Sequence, residues 1–144
     1  MHRAAGRALL LRGLGASLLA RLAREALQAA PVEAPSPQSQ LLQRFEALLE
    51  AHYLEHWKVA DYARALAVTP THLSRITRAA AGESVSRLID ARVMREARRN
   101  LAYTHLSVST IAYTLGFTDP AYFSRVFTRA LGLSPRAFRA RATA

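Results

Sequence analysis

The sequence predicts an all-α fold: two helix-turn-helix subdomains joined by a long linker helix, about seven helices, plus one helix at the N-terminus. Three observations predict it. Apolar residues recur at helical spacing from residue 41 onward, with no stretch that alternates with period two. Residues 59–82 return, with one insertion, as residues 108–132. Each copy reads as a short helix, a tight turn and a second helix that opens with proline.

From the N-terminus, residues 8–28 read as a helix. Leu11, Leu14, Leu18 and Leu22 form a stripe that Leu10 and Leu19 widen, with Arg12, Arg21 and Arg24 off it. The segment is rich in Arg and poor in acid, which also fits a targeting peptide. Arg12 interrupts the apolar run, which argues against a secretory signal or a membrane span. A packing or dimerisation helix is the preferred reading. Residues 29–40, AAPVEAPSPQSQ, hold three prolines and no periodic pattern, and read as a linker. The folded region is expected over residues 41–142. Its helices run Leu41–His56 (apolar set Leu41, Leu42, Phe45, Leu48, Leu49, Leu54), Val59–Ala67, Pro70 to about Ala80, Ser86–Tyr103, Val108–Leu115 and Pro120–Leu131, with a last turn from Pro135.

The repeat is specific. Nine positions match: Val59/Val108, Ala63/Ala112, Leu66/Leu115, Thr69/Thr118, Pro70/Pro120, Ser74/Ser124, Arg75/Arg125, Ala80/Ala130 and Gly82/Gly132. Thr69 and Asp119 cap the second helices, and the proline that follows each suits a first helical turn. Gly116 supplies a left-handed turn residue in the second copy. Ala67 stands there in the first, at about 1 kcal/mol relative to glycine. On the helix from Pro70, Leu73 and Ile76 turn inward and leave Thr71, Ser74, Arg75 and Arg78 outward. On the helix from Pro120, Phe123, Val126 and Phe127 turn inward. Ala121, Ser124, Arg125, Thr128 and Arg129 are left outward. A Ser-Arg pair recurs at the same place in both. An Arg fork can bond guanine O6 and N7 together, and Ser suits several bases. A Ser-Arg pair by itself is commonly a solvated helix face; its duplication at matched positions favours base reading.

Charge points to the same partner. The net charge is +10, and Lys58 is the only lysine among the 20 basic residues. Residues 61–144 carry thirteen Arg against five acids. A polyanion, double-stranded DNA, is the leading partner class, although Arg-rich composition also follows from GC-rich coding. Arg92, Arg95, Arg98 and Arg99 are placed outward on the linker helix, toward phosphates or water. That helix, 18 residues, spans about 27 Å, against about 34 Å between successive grooves on one face of DNA. There is no cysteine, which excludes disulfides and thiolate metal sites and suits the cytoplasm.

IAYTLGFTDPAYFSRVFTRALGLSPRAFR, residues 111–139, resembles the signature of the AraC/XylS family of bacterial transcription regulators. HLSRITRAAAGESVSRLIDARVMREAR, residues 72–98, is similar to that family's first recognition helix and linker helix, while Ala67 departs from its usual glycine. The resemblance covers residues 41–142 and looks closest to regulators of aromatic-acid catabolism of the PobR type. It implies seven helices and base contacts from Thr71, Ser74 and Arg75 and from Ala121, Ser124 and Arg125; no cofactor is expected. Pro120 and Ala121 stand where some relatives are polar, so the second helix is expected to read fewer bases, through a thymine methyl. The resemblance also implies a role at promoters with RNA polymerase, and a homodimer through residues 8–28.

The sequence is compatible with two other readings. His52-Tyr-Leu-Glu55-His56 spells an inverted zinc-protease motif, with both histidines expected on one helical face, but a third ligand is not evident. A protein-interaction module acting through the Leu-rich N-terminal helix could coexist with DNA binding. No catalytic triad or phosphate loop stands out, so the chain is not expected to be an enzyme, and no membrane partner is expected.

Overall fold

Six of the seven α-helices over residues 37–142 start on a side chain that closes the first turn, and this punctuation lays out the fold. A computed structural model describes residues 20–25 and 33–144. The chain divides into Met1–Pro35 and Ser36–Ala144. Within Met1–Pro35, residues 20–25 are helical and exposed; the rest of the helix expected over 8–28 lies outside the described residues. Ser36–Ala144 contains α1 (Pro37–His52), a 3₁₀ turn (Tyr53–Glu55), α2 (Val59–Ala65), α3 (Pro70–Ala81), α4 (Val85–Tyr103), α5 (Val108–Thr114), α6 (Pro120–Leu131) and α7 (Pro135–Ala142). No strand occurs among the described residues.

Ser36, Thr69, Ser84, Ser107, Asp119 and Ser134 each accept a backbone N–H in the first turn of α1, α3, α4, α5, α6 and α7. Gly82 and Gly132 end α3 and α6 in the left-handed region, at φ of 70° and 77°. The Ser36 cap corrects one expectation: α1 begins at Pro37, so residues 37–40 of the expected linker are helical. The same helix stops at His52 rather than His56, because the chain tightens into the 3₁₀ turn, and Leu54 is exposed instead of joining the apolar set. The short helices α2 and α5 also end earlier than expected, at Ala65 and Thr114.

α4 spans both cores. Its first turns give Val85 and Ile89 to a cluster with Leu41, Phe45, Leu49, Tyr62, Leu66, Leu73 and Ile76. Its later turns give Val93, Met94, Ala97 and Leu101 to a cluster with Ile111, Leu115, Phe117, Phe123 and Phe127. Burial of one apolar stripe along a single helix thus serves two subdomains, α1–α3 and α5–α7. Arg139 of α7 closes the far end of α4: its guanidinium donates to the Leu101 and Leu106 carbonyls at 3.2 and 2.6 Å.

Candidate nucleic-acid interface

Each recognition helix is held by its inward face. Leu73 and Ile76 of α3 and Phe123 and Phe127 of α6 are buried, as the spacing predicts, while Val126 is only half-buried. Thr77 is a buried residue that the spacing argument did not place. It stands where the second copy has Phe127, and its hydroxyl donates to the Ser74 carbonyl at 3.0 Å, which satisfies a polar group inside the core.

The opposite faces are open. Thr71, Arg75 and Arg78 of α3 and Ala121, Arg125, Thr128 and Arg129 of α6 are exposed, and Ser74 and Ser124 are half-exposed. Arg75 donates to His72 Nδ1 at 2.7 Å, so its fork is partly oriented by its own helix. Arg125 lies 4.0 Å from the Asp119 carboxylate and 5.8 Å from the centre of the Tyr122 ring, a loose arrangement that leaves its donors available. Exposed Arg pairs of this kind are worth little to stability, so redirecting them to a ligand costs little.

Helical spacing and the Ser-Arg repeat do not single out His72 and Tyr122. They occupy matched places in the first turns of α3 and α6, beside the expected base readers, and Tyr122 is 53% exposed. The repeat itself carries the signal: amphipathic rings at equivalent positions of both second helices, where an apolar contact alone would favour a buried residue.

The linker arginines divide. Arg92 was expected to point outward, but its side chain is only 10% exposed. It makes a two-pronged contact with Glu50 of α1, at 2.7 and 2.6 Å, and lies over the Tyr53 ring at 3.8 Å. The hydrogen bond from Arg92 holds the Glu50 carboxyl below the usual carboxylate range, and the bond to Glu50 keeps Arg92 firmly protonated. Arg92 therefore fastens α1 to α4 rather than meeting phosphate. Sequence periodicity missed this because it cannot see α1 arriving over that face. Arg99 bonds Glu96 at 2.8 Å on its own helix. Arg95 and Arg98 are exposed; Arg95 comes within 3.9 Å of Glu50, whereas Arg98 has no ion-pair partner among the described residues.

The zinc-site expectation does not survive the geometry. His52 ends α1, bonds Glu55 at 2.9 Å and stacks on Trp57 with ring centres 3.8 Å apart. His56 lies beyond the 3₁₀ turn at φ 54°, and its Nε2 donates to the Leu115 carbonyl at 2.7 Å. The two histidines do not share a helical face. No three His, Cys, Asp or Glu residues cluster as a metal site among the described residues.

Two helix-turn-helix units with capped, cationic, solvent-open second helices on one supporting helix define the class: a double helix-turn-helix DNA-binding domain. The helix-turn-helix domain family matches residues 62–141. The arabinose operon regulatory protein of Salmonella typhimurium is 34% identical over 85 residues, 59% of this chain and 30% of that protein. Among solved structures, the C-terminal domain of AraT, a response regulator from Geobacillus stearothermophilus, aligns with a TM-score of 0.65 at 27% identity, covering 76% of this chain and 88% of that one. The DNA-binding domain of AdpA, the global transcriptional factor, solved with a target DNA, aligns with a TM-score of 0.62 at 28% identity, covering 70% and 90%. The chain belongs to the helix-turn-helix domain family, in its AraC type. It spans well under half the length of the curated relatives it matches. No helix among the described residues is long and apolar enough to cross a membrane.

Proposed function

We propose that this protein binds double-stranded DNA sequence-specifically and regulates transcription, with α3 and α6 in adjacent major grooves. The observation that carries the reading is the matched Ser-Arg pair, Ser74–Arg75 and Ser124–Arg125, on the open face of two capped helices in a chain of net charge +10. On this reading Arg75 and Arg125 bond guanine edges, and Thr71, Ser74 and Ser124 serve neighbouring bases. Ala121 meets a thymine methyl, while Arg78, Arg129 and Arg98 neutralise phosphates. A relative named for an operon and a structural neighbour bound to target DNA support the same role.

At a promoter the bound protein would meet RNA polymerase, and the Leu-rich stripe of residues 8–28 would pair two copies. Such a protein acts where the genome lies, in the cytoplasm. Footprinting of the full chain on genomic DNA tests the core of this. Discrete protected sites, each with two protected stretches one helical turn apart, are expected. Uniform protection at every sequence, or a single groove per site, would defeat the assignment. Sedimentation of the full chain beside Leu18→Asp checks the pairing: a monomer for both removes the dimer.

A further inference from the structure

Between the two helix-turn-helix units lies a cleft of about 470 Å³, floored by Ile89, Val93 and Met94 of α4 and bordered by Lys58 on one side and Tyr122 and Val126 on the other. The helices of the first unit make no extended contact with those of the second across it. At the edge of this cleft the corner between α1 and α2 reaches over to the second unit's turn.

Three observations meet there. The His56 imidazole donates from Nε2 to the Leu115 carbonyl at 2.7 Å, so that nitrogen carries a hydrogen. The same ring stands edge-to-face against Phe117, centres 4.7 Å apart and planes at 84°. Gly116, between these two, sits at φ 84°, where a Cβ would run into the Leu54 carbonyl and lie 2.9 and 3.0 Å from the imidazole. His56 itself caps the 3₁₀ turn in the left-handed region, φ 54°. Leu115, Gly116 and Phe117 form the turn that aims α6. The matching turn of the first unit has an exposed Ala67.

We infer that His56 is a positioning residue: it locks the aim of the second recognition helix to the body of the first unit, so that the two readers present one fixed spacing to DNA. The role in spacing rests on the proposed DNA reading; the lock itself does not. α4 joins the cores along one axis, with Tyr53 packed against both, and the His56 attachment to the turn of the second copy, away from that axis, opposes the remaining rotation.

The test uses the full chain, whose lack of cysteine allows site-specific labelling. Spin labels at Ala80→Cys and Ala130→Cys, matched and exposed on α3 and α6, report the distance between the readers without DNA. The parent is expected to give a narrow distribution, His56→Ala a clearly broader one, and His56→Gln a return toward the parent, because its amide can donate to the same carbonyl. Phe117→Leu, which keeps an apolar core residue while removing the ring face, should broaden it to a lesser degree and serves if His56→Ala fails to fold. An unchanged width in His56→Ala, or in Phe117→Leu where that variant stands in, overturns the lock.

A second arm measures affinity for the footprinted site and for the same site with one base pair inserted between its halves, a turn of about 35°. His56→Ala should bind the native spacing about tenfold more weakly, and its penalty for the insertion should shrink several-fold. Equal weakening at both spacings would reveal only lost stability and overturn the spacing role. A parent protein that binds no two-part site would overturn the DNA reading instead, while the label distances still decide the lock.

Discussion

The two helix-turn-helix units share a pattern and differ in how they are held. The second turns through Gly116 and fills its core with rings: Phe117 against Phe123, Phe123 against Phe127, and Phe127 against Phe138. The first turns through Ala67 at φ 55°, and at the matched positions has Val68, Leu73 and Thr77. Its rings come from elsewhere: Phe45 of α1, Tyr62 of α2 and Trp57 of the corner between them. A duplicated motif thus keeps an open cationic face and lets the support diverge. Each second helix needs a buried inward face to pack on, which several combinations of side chains can provide.

The contrast is sharpest in the core. Phe127→Ala should destabilise the protein by about 4 kcal/mol, the usual range for emptying a buried ring site. Thr77→Ala, at the matched place, should cost only about 1 kcal/mol, because it removes a small group and a locally satisfied hydroxyl. Urea unfolding of both variants checks the pair; equal losses would mean that the two cores are supported alike.

The turns give the next effect. Gly116→Ala should cost about 3 kcal/mol, combining left-handed strain with the collision at Leu54 and His56. Ala67→Gly should instead stabilise by about 0.5 kcal/mol, since relief of strain is partly offset by a more flexible unfolded chain. Denaturant midpoints moving the same way for both would break the distinction.

The readers themselves should differ on DNA. Arg75→Ala and Arg125→Ala are each expected to cost about 1–3 kcal/mol on the specific site and to relax preference at the base they meet. The first also frees His72, so its effect should be partly reproduced by His72→Ala, whereas Asp119→Asn should leave the second nearly unchanged. Binding titrations on the footprinted site, with single-base replacements, separate these outcomes.

The smallest effect belongs to the first unit's tie to α4. Glu50 has its carboxyl held low by the Arg92 bond, so the folded state binds its proton less readily than the unfolded chain does. Its contribution is present above the ordinary carboxylate range and fades as pH falls through the lowered value. The stability of the parent relative to Glu50→Gln should therefore shrink on acidification and hold steady near neutrality. A difference constant from neutral to acid pH would remove the charged pair as its cause.

The sequence alone determined the order of the helices, the Thr69 and Asp119 caps, the repeat and the open faces of α3 and α6. Periodicity, proline and capping residues act over one or two turns and need no distant partner, and the repeat made two weak readings support each other. Where partners came from far along the chain, the tertiary structure decided. Arg92 is turned from a surface cation into a brace by Glu50, 42 residues away, and His56 from an apparent metal ligand into a link to Leu115, 59 residues away. A side chain's role follows from the groups that surround it. Helical spacing says which way it leaves its own helix, and only packing says what is waiting there.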